Sequence, residues 1–214
     1  MDNLILVNKD NPINLNYVPN DLVMTDKNLF NFHGYLDPKH KPRVSHRVYL
    51  AFLKLSKCAL EEEKLKIIID SGYRSSDYQN KIWYYNLKNN YKQAKKNKLT
   101  DLESLKYAYE RTNSLVALPG QSEHQTGLAI DIACYRNGFY SSKISDSKES
   151  AWMSENAQRF GFILRYPKGK EDITKYNYEP WHYRYVGYPE SLDFYNGQWL
   201  TLEEYLEDKK LILH

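Results

Sequence analysis

The 214-residue sequence predicts an α+β fold with a mainly antiparallel sheet. Two observations support that prediction. In the first half of the chain, apolar residues recur at the spacing of amphipathic helices. From the middle of the chain onward, short runs of β-branched and aromatic residues, separated by turn residues, are typical of strands. Because helices come first and strands dominate later, the pattern favours a mixed fold over alternating βα units.

Each element of the first half rests on a local pattern. A β-branched run that ends at Asp70-Ser71-Gly72 predicts a buried strand leading into a turn. Capping-box spacing predicts helix starts at Ser76 and Thr100. The polar residues 89–98 are expected to form a solvated helix end and a loop. The predicted elements are a strand at 4–7, a helix at 44–60, a strand at 67–69, and helices at 76–87 and 100–112.

The second half contains the predicted central strand. Residues 128–132 are apolar apart from Asp131, as in a strand at the middle of a sheet. Gly161 is expected to close a helix, because glycine is favoured just after a helix ends. The predicted elements are a strand at 128–132, a helix at 150–160, strands at 162–165 and 182–186, and a C-terminal helix that starts at Thr201.

Length and composition narrow the class of protein. The chain is 42% hydrophobic and suits a single domain over 1–214, with residues 1–42 as an N-terminal arm packed on it. Its net charge of +3 is too small to predict nucleic acid or an anionic membrane as a partner. Cys58 and Cys134 lack CxxC spacing and are expected to be free thiols. The apolar run at 4–7 is too short for a signal peptide or membrane span, so a cytoplasmic location is expected.

Two histidines and an aspartate form a candidate metal site. A catalytic zinc site uses three protein ligands and leaves one position open. His124 can lie on a loop, Asp131 projects from the predicted central strand, and His182 can complete the set from an adjacent strand. A lone histidine is more often a satisfied polar residue than a ligand, but a carboxylate in an apolar strand needs a cationic partner. Spacing alone leaves one Zn²⁺ ion and an ordinary polar cluster both open.

Two further charged residues are candidate catalytic groups. Glu179 precedes His182 by three residues, and a carboxylate beside a metal can take a proton from attacking water and pass it to the leaving amine. The alternative for Glu179 is a surface glutamate before a turn proline. Arg74 follows a buried strand and a glycine turn, so it is expected to enter a cleft and bind a carboxylate or an oxyanion. The alternative for Arg74 is a structural ion pair.

Three ordered motifs resemble those of a known enzyme family. They are SGYRS at 71–75, SEHQTGLAID at 122–131 and EPWH at 179–182. Over nearly its whole length the chain is similar to the VanY-type D-alanyl-D-alanine carboxypeptidases, which belong to the LAS metallopeptidases. The resemblance implies a small antiparallel sheet with flanking helices. It also implies site roles: zinc ligands at His124, Asp131 and His182, a catalytic base at Glu179, and transition-state stabilisation by Arg74.

The resemblance further implies the substrate, a D-Ala-terminated peptide or muropeptide. Candidates for holding it are Tyr73, Ser75, Gln79 and Ser122, with Trp181 as an apolar wall; Gln79 could instead satisfy a backbone donor. Some members of the group cleave D,D bonds, including the bifunctional VanXY enzymes that act in the cytoplasm in vancomycin resistance, and others cleave an L,D bond. A D,D-carboxypeptidase, with or without D,D-dipeptidase activity, is preferred over an L,D-carboxypeptidase and over an inactive cell-wall binding module.

Overall fold

The computed structural model describes residues 2–25, 42–136 and 139–209 of the chain. The strands in these ranges are β1 (Leu22–Met24), β2 (Arg43–Ser45), β3 (Ile67–Ser71), β4 (Ala129–Arg136), β5 (Phe139–Ser141), β6 (Phe162–Leu164) and β7 (His182–Tyr185). The α-helices are α1 (His46–Glu63), α2 (Ser76–Lys96), α3 (Asp101–Leu115), α4 (Lys148–Asn156), α5 (Glu171–Thr174) and α6 (Leu202–Asp208). Short 3-10 helices span Glu123–Thr126, Ala157–Phe160 and Glu190–Phe194.

An antiparallel sheet lies at the centre of the molecule. Its strand order is β3-β4-β7-β6, with β5 also paired to β4, while β1 and β2 form a separate antiparallel pair. Strand β4 is central because Ala129, Ile130 and Ile132 are all buried, so side chains on both of its faces pack against other elements. The predicted class, an α+β fold with a small antiparallel sheet and flanking helices, is confirmed.

Helix α1 supplies much of the hydrophobic core. Its residues Val48, Phe52, Leu55 and Ala59 recur every three or four positions and are all buried, so they form one apolar stripe. This stripe belongs to the same hydrophobic cluster as Ile67 and Ile69 of β3 and the isoleucines of β4. Burial of each large side chain contributes roughly 1.5–3 kcal/mol, which makes this contact a main source of stability.

Most predicted elements are present, with shifted ends. The strands expected at 67–69, 128–132, 162–165 and 182–186, and the helices expected at 100–112, 150–160 and after Thr201, correspond to β3, β4, β6, β7, α3, α4 and α6. The helix expected at 44–60 begins later, at His46, because Val44 pairs with Val23 in the β1–β2 ladder. Helix α3 starts with the predicted capping box, in which Thr100 and Glu103 each satisfy the other's backbone N–H.

Helix α2 differs from its prediction at both ends. Its N-cap is Ser75 rather than Ser76, since the Ser75 hydroxyl accepts from the backbone N–H of Tyr78 at 3.2 Å. The helix continues to Lys96, so the prediction of a loop within 89–98 is wrong for most of that range. Ala94 is fully buried, and lysines in the last turn are favoured by the helix dipole.

The strand predicted at residues 4–7 is wrong. Backbone carbonyls in this segment pair with a side chain instead of a neighbouring strand. Arg184 Nη2 donates to the carbonyls of Asn3 at 2.9 Å and Ile5 at 2.7 Å. A buried guanidinium needs several acceptors, and this irregular segment supplies them.

The described part of the N-terminal arm lies against the rest of the chain. Gln125 Nε2 donates to the carbonyls of Asn14, Leu15 and Tyr17. Residues 26–41 of the arm lie outside the described residues, and the single-domain organisation of 1–214 stays a prediction. Among the helices that the structure describes, none is both long and apolar enough to cross a membrane.

Candidate active site

His124, Asp131 and His182 meet above the centre of the sheet. Asp131 on β4 and His182 on β7 are direct cross-strand partners, so their side chains point to the same face. His124 lies on the 3-10 helix before β4, and the chain returns to the sheet through Gly127, whose φ of +71° favours glycine. One ligand atom from each of the three residues lies within 4.8 Å of the others, and all three residues are buried.

The two histidine rings present different nitrogens to this position. His124 Nδ1 lies 2.6 Å from the carbonyl oxygen of Gly72 and donates to it, which leaves Nε2 facing Asp131 at 3.2 Å. His182 turns the other way, with Nδ1 2.9 Å from Asp131 Oδ1. Gly72 permits this arrangement because a Cβ there would lie 2.2 Å from the carbonyl oxygen of Arg43.

The donor set and its electrostatics fit a catalytic metal ion. Two imidazole nitrogens and one carboxylate oxygen are a ligand combination that zinc uses in open, catalytic sites. Burial, with a contribution from Arg74, lowers the pKa of His124 to about 4, so its ring is neutral as a ligand must be. Burial opposes the charge of Asp131, but His124 and Arg74 outweigh it and hold its pKa well below the ordinary value. Burial also disfavours charge on His182, yet the neighbouring carboxylates raise its pKa to about 9. The space between the three candidate ligands therefore favours a positive ion.

Glu179 is placed beside these residues. Its Oε2 atom lies 3.8 Å from His182 Nδ1, and its side chain is 13% exposed. The alternative of a surface glutamate is therefore wrong. Burial raises the pKa of Glu179 to about 7, with Asp131 adding to the shift and His182 and Arg74 opposing it. A carboxyl with a pKa near neutrality suits general acid–base chemistry.

Arg74 both forms an ion pair and reaches the cavity. Its Nη2 atom pairs with Asp131 Oδ2, and its Nε donates to Ser71 Oγ at 3.0 Å. Its backbone N–H donates to the carbonyl of His124 at 3.2 Å. The ion pair is therefore present and the side chain also lines the cavity beside the candidate ligands, while its binding of a carboxylate or an oxyanion stays a prediction.

A cavity of about 140 Å³ brings these groups together with three of the predicted substrate contacts. Gln79, Ser122 and Trp181 line it beside the candidate ligands. Gln79 Nε2 donates to the carbonyl of Ala117 at 2.8 Å, while its Oε1 atom is buried without a partner among the described residues. The alternative in which Gln79 satisfies a backbone donor is therefore not what the structure shows.

Tyr73 and Ser75 are not among the described residues that line this cavity. The Tyr73 ring lies under the guanidinium of Arg43, 5.2 Å from the ring centroid. Ser75 caps α2. In this structure both residues support local conformation next to the site.

A set of charged residues behind the site was not predicted from the sequence. Glu123 is fully buried and bonds to Arg165 and Arg184, whose side chains are also fully buried. The signal was present, because both arginines interrupt apolar strand patterns just as Asp131 does. Applied to them, the same reasoning about buried charge would have predicted a partner.

Comparison with known proteins identifies the family of this chain. A family model described as VanY, D-alanyl-D-alanine carboxypeptidase, matches residues 41–188, a range that holds every candidate site residue. The chain belongs to the VanY family. Its membership confirms the sequence-based assignment to this family and to the peptidases.

Individual relatives cover almost the entire chain. The bifunctional D-Ala-D-Ala dipeptidase and D-Ala-D-Ala carboxypeptidase VanXYC of Enterococcus gallinarum is 35% identical over 96% of this chain and 94% of its own length. A solved vancomycin-resistance D,D-pentapeptidase VanY variant in complex with Zn(II) is 35% identical, with a TM-score of 0.71 over 95% of this chain and 98% of that one. The LdcB LD-carboxypeptidase is 37% identical, with a TM-score of 0.70 over 94% of this chain and 84% of that one.

Proposed function

We propose that the protein is a zinc-dependent D,D-carboxypeptidase that removes C-terminal D-Ala from peptidoglycan precursor peptides, with D,D-dipeptidase activity on free D-Ala-D-Ala. One observation carries the proposal. The buried residues His124, Asp131 and His182 line the same cavity as Arg74 and Glu179. Burial raises the pKa of the Glu179 carboxyl to about 7. The names of VanY-family relatives that act on D-Ala-D-Ala support the substrate.

His124 through Nε2, Asp131 through its carboxylate and His182 through Nδ1 would hold one Zn²⁺ ion. The zinc complex of a relative that matches nearly the whole chain supports this choice of metal. When bound, zinc supplies Lewis-acid polarisation of the scissile carbonyl. The Gly72 carbonyl keeps the proton of His124 on Nδ1 and so leaves its Nε2 lone pair free.

Glu179 would move the proton in this reaction. With a pKa near 7, its carboxylate can accept a proton from the attacking water and later return it to the leaving amino group. A carboxylate with an ordinary pKa would be a weaker base towards the attacking water, because it holds the accepted proton less tightly.

Arg74 and Gln79 would orient the peptide. The Arg74 guanidinium lies beside Asp131 and can bind the terminal carboxylate of the substrate or the oxyanion that develops at the scissile carbonyl. Gln79 lines the cavity, and its Oε1, which has no partner among the described residues, would accept from a peptide N–H of the substrate. Trp181 and Ser122 form further parts of the wall.

A second candidate is an L,D-carboxypeptidase that acts on tetrapeptide stems. The observation in its favour is the 37% identity to the LdcB LD-carboxypeptidase. Both activities would use the same metal ligands and base, and they would differ in the stereochemistry of the residue before the scissile bond.

One experiment separates these candidates. Zinc-loaded protein is incubated with D-Ala-D-Ala, a pentapeptide stem and a tetrapeptide stem, with and without a chelator, and the products are identified by mass spectrometry. We expect release of D-Ala from the pentapeptide and cleavage of the dipeptide, both abolished by the chelator. Cleavage of the tetrapeptide alone would select the L,D activity, and inertness towards all three substrates would select a binding module.

The Glu179→Gln variant tests the role of the base. It should keep stoichiometric zinc but lose at least about 10²-fold in kcat, the usual scale of general acid–base catalysis. Glu110→Gln on α3 is a matched control, because Glu110 is exposed and is not among the described residues that line the cavity. Unchanged turnover in Glu179→Gln would remove this residue from the mechanism.

We further propose that the protein works in the cytoplasm. Cys58 and Cys134 are thiols rather than disulfide-bonded in the described structure, and a reducing compartment maintains that state. Fractionation of cells that express the full-length protein tests this location. Activity recovered from the medium or the cell surface would overturn it.

A further inference from the structure

A cluster of fully buried charges lies directly behind the candidate metal site. The Glu123 carboxylate accepts from Arg165 Nε at 2.8 Å and from Arg184 Nη1 at 2.7 Å. The side chains of all three residues have no exposed surface. Arg165 is held in turn by Glu203, which takes both of its terminal nitrogens at 2.7 and 2.8 Å.

The two oxygens of Glu123 have different surroundings. Both arginine contacts fall on Oε1. The other oxygen, Oε2, lies 3.8 Å from His182 Nε2, and within the described part of the chain neither of these buried atoms has a hydrogen-bond partner. Since His182 Nδ1 faces Asp131, its ring lies between one carboxylate on the metal side and one on the far side.

We infer that Glu123 is a positioning residue of the metal site, whose Oε2 holds the His182 proton on Nε2 and so leaves Nδ1 free to bind the metal. The inference rests on the zinc site proposed above. A metal-bound histidine usually gives its other N–H to a carboxylate or carbonyl, which selects the tautomer and fixes the ring. Glu123 is the carboxylate in position to receive it.

The surroundings of Glu123 keep it ionised and immobile. Two fully buried guanidiniums, those of Arg165 and Arg184, pair with the carboxylate at 2.8 and 2.7 Å and so balance its charge. Because two buried guanidiniums donate to Oε1, rotation of the carboxylate away from His182 would break both hydrogen bonds. Tyr166 stacks on the His182 ring, with 4.9 Å between centroids, and limits rotation from the other side.

The Glu123→Gln variant places an opposite hydrogen-bonding group at the same position. Its amide oxygen is expected to stay at Oε1, where two arginines donate, so the NH₂ group faces His182 Nε2. A donor opposite Nε2 favours the tautomer with the proton on Nδ1, which cannot bind metal through Nδ1. Competition against a chromophoric chelator should show zinc affinity weaker by about 10- to 100-fold.

Glu203→Gln is the matched control. It neutralises a carboxylate on the same arginine, but Glu203 has no contact with His182 among the described interactions. Its zinc affinity should stay within about twofold of wild type. Equal zinc affinity in wild type and Glu123→Gln, or equal losses in the two variants, would overturn the inference. A wild-type protein that binds no zinc would instead overturn the proposed function.

A measurement on the wild type alone decides the matter if Glu123→Gln does not fold. Nitrogen-15 NMR of histidine-labelled, zinc-loaded protein should show His182 bound to metal through Nδ1, with a slowly exchanging proton on Nε2. A metal-bound Nε2, or an Nε2 proton in fast exchange with water, would overturn the role of Glu123. This readout does not depend on turnover.

Discussion

Glu179 occupies a position that disfavours its own charge. Burial raises its pKa from the usual 4.5 to about 7. The folded protein therefore binds this proton more tightly than the unfolded chain does. The stabilisation gained from that proton is complete below about pH 4.5 and is lost as the pH rises through 7.

Glu179→Gln should consequently make the zinc-free protein more stable at pH 8. The shift corresponds to about 3 kcal/mol at most, and the gain should shrink to under about 1 kcal/mol at pH 5, because that pH is only slightly above the unfolded pKa of 4.5 and protonating the carboxyl on folding then costs little. Urea unfolding at the two pH values, with chelator present, measures the difference. Glu110→Gln should show no such gain, and a wild type as stable as Glu179→Gln at pH 8 would contradict the prediction.

Some residues of the site could be predicted from the sequence and others could not. Asp131 could be recognised because a carboxylate inside an apolar strand needs a partner. Glu123 adjoins His124 but gave no such signal, since it stands among polar residues, between Ser122 and His124, rather than in an apolar strand. Sequence shows that a buried charge requires compensation, whereas only the fold shows which residue compensates it.

Among the secondary-structure elements, α2 has an N-terminus that can be tested by mutation. Ser75→Ala removes the side chain that accepts from Tyr78 N–H and should cost about 1 kcal/mol of unfolding free energy. Ser76→Ala, one residue further on, should cost less than about 0.5 kcal/mol because Ser76 lies inside the first turn. Denaturant unfolding of both variants is the measurement. A larger loss for Ser76→Ala would restore the cap predicted from the sequence.

Errors in element boundaries have physical causes. Val44 and Val48 are four residues apart and both buried, so helical spacing continues across the end of β2 into α1. Periodicity cannot separate the two elements there. The Lys- and Asn-rich end of α2 resembles a loop in composition, but packing of Ala94 extends the helix. Both errors arise where tertiary contact outweighs local pattern.

Across the whole molecule, the buried ionic cluster joins segments that are distant in the sequence. Arg184 on β7 binds the carbonyls of the N-terminal segment, and Arg165 connects the 3-10 helix to α6 through Glu123 and Glu203. Burying so many charges is costly unless every one is paired. The cluster therefore stabilises the fold only while it remains complete.

Arg165→Met should accordingly destabilise the protein far more than loss of an exposed ion pair does. It removes the bidentate partner of Glu203 and one of the two arginines on Glu123, and breaking a buried pair costs about 3–5 kcal/mol. Arg159→Met is the control, because Arg159 pairs with Glu62 where the two side chains are 44% and 41% exposed. Its loss should be under about 1 kcal/mol.

Urea unfolding of the two zinc-free variants measures how much the cluster contributes to stability. Hydrogen exchange tests whether the cluster also connects distant segments of the chain. If the cluster joins the terminal segments to the sheet, Arg165→Met should also speed hydrogen exchange in α6 and in residues 3–8, whereas Arg159→Met should leave both unchanged. Comparable small losses in the two variants would mean that the buried charges stabilise no more than surface ones. The cluster would then have only one remaining role, the orientation of His182 by Glu123.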